Sequence, residues 1–229
     1  MGKAAEAWTP VQTTLPRLPA SSARSHITTR RLLIRPIAAS DLEALHELRT
    51  QPEVMMWTSA GRIDIDKDET ASKLAPFLPP HDAEAFNCTM CLRETGEIVG
   101  MGGVHRMNTD ENYGWPEIGY MFKKEHWGKG LATEFVDAFL REWDALDRVP
   151  TELKVKGKTL AAHESSWAIV KEQLVAVADA TNTASQRILV KCGFEQFDVF
   201  EEQDSVDPTK AVQLLVFRYF PHARESKIE

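Results

Sequence analysis

The residues with the most chemical content run from Glu117 to Thr133, EIGYMFKKEHWGKGLAT. Within them, Trp127-Gly128-Lys129-Gly130-Leu131-Ala132 carries two glycines where the apolar run Tyr120-Met121-Phe122 gives way to helical spacing. Glycines at such a turn let a ligand approach bare backbone. The unpaired N–H groups and positive dipole end of a following helix favour an anion there, phosphate above all. Ahead of the loop stands the carboxylate of Glu117, and His105 would rival it in any proton-accepting role, because an unperturbed imidazole titrates in the right range. The bland readings stand beside these: glycines serve many turns, and Glu117 and His105 suit an ion pair or a structural role equally well.

The elements that would hold these groups follow from periodicity. A strand near 115–122 delivers the loop. Ala132, Val136, Phe139, Leu140, Trp143 and Leu146 then recur at three- and four-residue steps, predicting a helix that ends near Asp147. A fifth strand, 173–178, leads to a second helix that Asn182 or Thr181 caps and Gly193 terminates. Upstream, Thr29–Ile37 alternates as a strand, with Leu32 and Ile34 on one face, and Ser40 is placed to cap the next helix. Phe86–Leu92 and Glu97–His105 read as a hairpin around Glu94–Glu97. Gly100, Gly102 and Gly103 point to a bulge or close packing in its second strand. Closing strands lie near 195–200 and 212–220.

Two phosphate-binding patterns fail. The Walker pattern cannot be spelled here, and Thr133 stands where the Rossmann pattern needs its third glycine. Trp127 to Ala132 resembles instead the pyrophosphate segment of the GNAT acetyltransferases, Gln/Arg-x-x-Gly-x-Gly/Ala. Gly130 and Ala132 match it and Trp127 replaces the usual Gln/Arg. That replacement, with the Glu-Ile-Gly-Tyr lead-in, resembles the RimJ/RimL-type branch. Asn182-x-x-Ser185 with Lys191-x-Gly193-Phe194 downstream resembles the second GNAT signature, although it is also simply a capped amphipathic helix.

The resemblance implies an α/β (α+β) fold, a mixed, twisted, mostly antiparallel sheet of about six to seven strands with helices on both faces. It implies acetyl-CoA as co-substrate, with the pyrophosphate on Gly128, Lys129, Gly130, Leu131, Ala132 and Thr133. The pantetheine arm would pair with the backbone of Tyr120, Met121 and Phe122 and with Asn182, and amides near Met121 or Phe122 would polarise the carbonyl. The tyrosine that many members use as proton donor is Leu189 here, so Ser185 is the candidate, with local capping as its alternative role. Glu117 lies where members commonly carry a proton-accepting carboxylate. The acceptor would be an amine-bearing small molecule or a peptide N-terminus. A non-catalytic acyl-CoA- or partner-binding protein is the competing reading; a nucleotide-phosphate enzyme is a third.

The remaining features set boundaries. With 229 residues, the chain suits one domain, expected at 27–220, with an N-terminal arm at 1–26, an insertion at about 148–171 and a charged tail at 221–229. In the insertion, Lys154, Lys156 and Lys158 alternate with apolar or small residues, and 159–170 reads as helical. A net charge of −7 argues against nucleic-acid binding. No run approaches a membrane span, and the N-terminus lacks a secretory signature. Three cysteines, an odd count, suit a reducing, cytoplasmic setting. Cys88 and Cys91 stand three apart on a strand and point to opposite faces, so no metal is expected there. The acidic run Asp64–Glu69 lacks the glycine and final glutamate of a calcium loop, and reads as a cap for a helix near 66–77. A monomer or homodimer fits these features equally.

Overall fold

The computed structural model describes residues 8–107 and 113–221. The first seven residues of the expected arm and the tail from His222 lie outside them. In chain order come β1 (Trp8–Pro16), β2 (Ile27–Thr28), β3 (Leu32–Pro36), α1 (Leu42–Arg49), α2 (Pro52–Met55) and α3 (Lys67–Leu74). Then follow β4 (Phe86–Leu92), β5 (Ile98–Arg106), β6 (Glu117–Phe122), α4 (Leu131–Ala145) and β7 (Arg148–Lys156). The chain closes with β8 (Leu174–Asp179), α5 (Thr183–Lys191), β9 (Glu195–Gln203) and β10 (Ala211–Tyr219). Eight strands form one sheet in the order β2-β3-β4-β5-β6-β8-β10-β9, one more than the upper expectation. Every neighbouring pair in it is antiparallel except β6 and β8.

One face of the sheet carries α4 and α5. Phe135, Val136, Phe139, Leu140 and Trp143 of α4 pack there on Ile118, Phe122, Ala176 and Phe217. The other face has two covers. Leu45, Leu48 and Leu74 of α1 and α3 close on Met101 and Met121, above the β5–β6 half. Over the β8–β10 half lies a separate two-stranded sheet, in which β1 pairs antiparallel with β7 along its whole length. Val11, Leu15, Leu153 and Val155 of this small sheet bury against Trp115, Val175 and Val216.

That pairing gives the expected arm and insertion a structural part. The stretch 159–170 expected as helix forms none. Instead Gln12 donates to the Ala168 carbonyl at 2.9 Å and Val170 donates to the Gln12 carbonyl at 2.8 Å, so β1 satisfies this backbone from its second edge. Lys156 and Lys158 lie over the Tyr113 ring at 4.9 and 5.0 Å. Lys158 also pairs with Asp198.

One helix start differs from expectation and another follows it. Asp41, not Ser40, closes the turn before α1. Its carboxylate accepts the Ala38 amide at 2.9 Å and a two-point contact from Arg35 at 2.7 and 2.8 Å. Asp66 caps α3 by accepting the Glu69 amide at 2.8 Å, as the acidic run suggested. Asp64 in the same run is buried instead, bonded by Arg49 at 2.6 Å, Lys73 at 2.6 Å and Thr70 at 2.8 Å. Among the described residues, no helix is long and apolar enough to cross a membrane.

Candidate active site

Among the described residues, β6 and β8 are the only parallel neighbours in the eight-stranded sheet, and their ladder holds one register pair, Glu117 with Val175. Val175 donates to the Pro116 carbonyl at 2.8 Å. Beyond that pair the strands diverge, and a gap opens toward the loop after β6. Backbone direction along β6 follows from strand alternation. Lys123 donates to the Val99 carbonyl of β5 at 2.8 Å, whereas Pro116 accepts from β8. Odd-numbered residues therefore bond β5, and even-numbered residues present their backbone groups to the gap. The expectation for Met121 is corrected on this point: its N–H and C=O face β5, and Ile118, Tyr120 and Phe122 face the gap. The Phe122 carbonyl already accepts the Trp127 indole N–H at 2.7 Å.

At the wide end of the gap the loop reaches α4. Gly128 and Gly130 hold φ of +71° and +76°, the left-handed region that side chains resist. A Cβ at Gly128 would meet nothing within 4 Å, so backbone conformation and not crowding demands glycine there. Gly130 is the N-cap of α4, and no side chain caps this helix start. An anion seat needs this arrangement, since a capping side chain would occupy the amides. Trp127, in the place of the motif's Gln/Arg, has spent its N–H on Phe122 and braces the loop against the strand.

A cation that sequence reading missed stands beside the seat. Arg31, just before β3, donates from Nη1 to the Lys129 carbonyl at 2.7 Å and from Nε to Glu134 at 2.7 Å. Its Nη2 lies 3.6 Å from where a Gly130 Cβ would sit. Glu134, in the first turn of α4, also accepts from the Arg31 amide at 2.8 Å and from the Thr29 hydroxyl at 2.6 Å. Burial pushes the Glu134 carboxyl up, but these bonds outweigh it and hold it below the usual carboxylate range. In sequence Arg31 is one arginine among several in the strand-like run 29–37, with nothing local to single it out.

At the narrow end, the two rival bases come together. His105 Nε2 lies 3.6 Å from Glu117 Oε1. A Cβ on Gly119 would come within 3.2 Å of the His105 ring, so this glycine gives the imidazole its room. Burial lowers the His105 pKa, and the Glu117 carboxylate opposes that only in part, so the ring is held neutral near pH 7. His105, with Pro16, Leu18, Pro76 and Ala85, lines a cavity of about 530 Å³. Its walls come from the end of β1, the turn after α3, the segment 83–85 before β4 and the end of β5.

Across the gap, Asn182 Oδ1 accepts the Ser185 amide at 3.1 Å and so caps α5. The Tyr120 hydroxyl lies 3.1 Å from Ser185 Oγ. Leu189, at the position of the missing tyrosine, is buried in the core against α4. Thr133 and Leu131 sit in the first turn of α4, where the Thr133 carbonyl accepts the Cys192 thiol at 3.8 Å. Cys88 is also buried, its thiol pushed up to about 12, and Cys91 is raised as well, so neither suits nucleophilic chemistry.

Known proteins resemble this chain in sequence and in fold. The sequence model of the acetyltransferase (GNAT) domain matches residues 31–195. The uncharacterized N-acetyltransferase p20 of Bacillus licheniformis is 27% identical over 113 residues, which are 49% of this chain and 62% of that protein. A RimL ribosomal alpha-N-protein acetyltransferase solved with coenzyme A superposes with a TM-score of 0.65 at 14% identity, over 87% of this chain and 99% of that one. Spermidine N-acetyltransferase from Vibrio cholerae, solved with CoA and spermine, gives 0.62 at 14% identity over 84% and 97%. The family match runs from Arg31 through the glycine loop and the diverging strands to Glu195, and the chain belongs to the GNAT acetyltransferase family.

Proposed function

We propose that this chain is an N-acetyltransferase that moves the acetyl group of acetyl-CoA to a primary amine of a protein N-terminus or small molecule. The observation that carries the reading is the gap between β6 and β8. It runs from an uncapped helix start flanked by Arg31 to the His105–Glu117 pair, and His105 also lines a cavity on the far side. A non-catalytic binding module needs the first end and has no use for the second.

Acetyl-CoA would supply a thioester, whose carbonyl carbon is open to attack by a neutral amine. Gly128–Thr133 and Arg31 would seat its phosphates. The Tyr120 amide and carbonyl and the Phe122 amide, which face the gap, would hold the pantetheine arm, with the Asn182 amide nitrogen as a further donor. The amine would enter by the cavity at His105. In the ternary complex the amine nitrogen forms the C–N bond, the C–S bond breaks and its electron pair leaves on sulfur. Glu117 takes the proton that the amine loses, directly or through water. Ser185 donates a hydrogen bond to the departing thiolate. Holding both substrates in line supplies much of the rate.

The named structural neighbours act on a ribosomal protein and on spermidine, so the acceptor screen spans both classes. Acetyl-CoA should raise the melting temperature by mass action. Release of free CoA should then be followed across peptide N-termini and small amines. A chain that binds acetyl-CoA yet releases no CoA with any acceptor favours the binding-module reading; no binding of acetyl-CoA sinks the transferase reading and leaves a partner-binding one.

A further inference from the structure

α5 carries no tyrosine, but a tyrosine hydroxyl reaches its first turn from another element. Tyr120 sits on β6, its ring packed on Phe135 of α4 at 6.4 Å between centroids. Its hydroxyl crosses the diverging strands to the first turn of α5, 3.1 Å from Ser185 Oγ and 3.5 Å from the Ser185 carbonyl. A serine hydroxyl has one proton to give and two lone pairs to accept with. Asn182 fixes the same residue by its backbone amide, so both ends of Ser185 are tied. Gly102 lies directly across the sheet from Tyr120, and a Cβ there would come within 2.7 Å of the Tyr120 Cβ. Glycine at 102 thus leaves the tyrosine undisturbed in its place.

We infer that Tyr120 is a positioning residue for acetyl transfer, donating its hydroxyl proton to Ser185 Oγ so that the serine's own proton points at the departing sulfur. The inference rests on the transferase reading above. Burial pushes the phenol up to about 12, so it stays protonated and remains a donor throughout the neutral range. No net proton passes along the pair. The C–S electron pair settles on sulfur, Ser185 holds that thiolate by a hydrogen bond, and sulfur is protonated on release. A chain of two hydroxyls polarises in one direction, which strengthens the terminal donor.

Tyr120→Phe keeps the ring on Phe135 and removes only the hydroxyl. With wild type, Ser185→Ala and the double variant, it forms a cycle read at saturating acetyl-CoA and amine. The expected result is a fall in kcat of about tenfold in each single variant and no further fall in the double, with KM for acetyl-CoA unchanged. A second reading needs no turnover. CoA has a titratable thiol and acetyl-CoA has none, so the ratio of their affinities reports thiolate stabilisation while other groups cancel. In wild type, CoA should gain on acetyl-CoA by up to about tenfold between pH 7 and 9.5, one unit of thiol pKa, and both single variants should lose that gain. Wild-type kcat in Tyr120→Phe, a multiplicative loss in the double variant, or an unchanged gain in CoA affinity would each overturn the assignment. Wild-type protein that binds neither ligand would overturn the transferase reading along with it.

Discussion

Gly130→Glu isolates the anion seat from the fold. Gly130 holds φ of +76° at the start of α4, and a Cβ there would meet only Arg31 Nη2, at 3.6 Å. The substitution therefore fits sterically and costs what any L-residue costs in the left-handed region, about 1–2 kcal/mol. For a chain of this size that lowers Tm by about 2–8 °C, well short of unfolding. Binding should suffer far more. A carboxylate about 5 Å from a phosphate charge costs about 1–3 kcal/mol between the limits of a wet surface and a partly screened site. That weakens acetyl-CoA about 5- to 150-fold for each phosphate charge it faces. Arg31 pairs with part of the new charge, which draws the effect toward the lower figure. Gly130→Ala is the control, because it bears the same backbone cost and no charge. Calorimetric titration with acetyl-CoA, at low salt and again at 0.15 M where a Debye length near 8 Å damps exposed charges, separates the two contributions. Gly130→Glu should bind far more weakly than Gly130→Ala at equal Tm, and the difference should narrow with salt. Equal affinities of the two folded variants would refute the phosphate seat.

Glu117→Gln should lower kcat about 100-fold near pH 7 with acetyl-CoA affinity intact, the loss shrinking as pH rises and more amine is already neutral. His105→Gln should leave that pH dependence in place, and its disappearance in this variant alone would move the base to His105. Asp64→Asn leaves buried Arg49 without its carboxylate, while Lys73 keeps Glu69 at 2.9 Å, and the loss should cost about 3 kcal/mol and lower Tm by about 6–12 °C. Burial raises the Asp64 carboxyl, and the bonds from Arg49, Lys73 and Thr70 more than reverse this, so its folded pKa lies below the unfolded one. Its contribution is then whole above the unfolded value near 4 and fades as pH falls through the folded value, so acid melts of wild type and Asp64→Asn should converge. Deleting residues 1–16 removes the buried Val11 and Leu15 and bares Leu153 and Val155. Thermal unfolding should register about 3–6 kcal/mol of lost burial, and an unchanged melt would reduce β1 to an ornament.

The sequence by itself determined the parts of the site that are local. The strand-loop-helix of 117–145 was legible because alternation, paired glycines and three-and-four spacing are written within a few residues of one another. The same holds for Asn182 capping α5 and Gly193 ending it, at φ +95°. Contacts between distant segments were decided only in the tertiary structure. Alternation says that Tyr120 and Met121 face opposite ways, but only the placement of β5 on one flank and β8 on the other says which backbone reaches the gap. Arg31 reaches the glycine loop because β3 lies beside α4, and His105 meets Glu117 because β5 pairs with β6. Of the two segments 8–16 and 148–156, the second shows alternation at Lys154 and Lys156, but neither names its partner, because each is only half of a sheet. A strand's backbone groups are satisfied by its partner, and the partner's identity is set by the fold that brings it alongside.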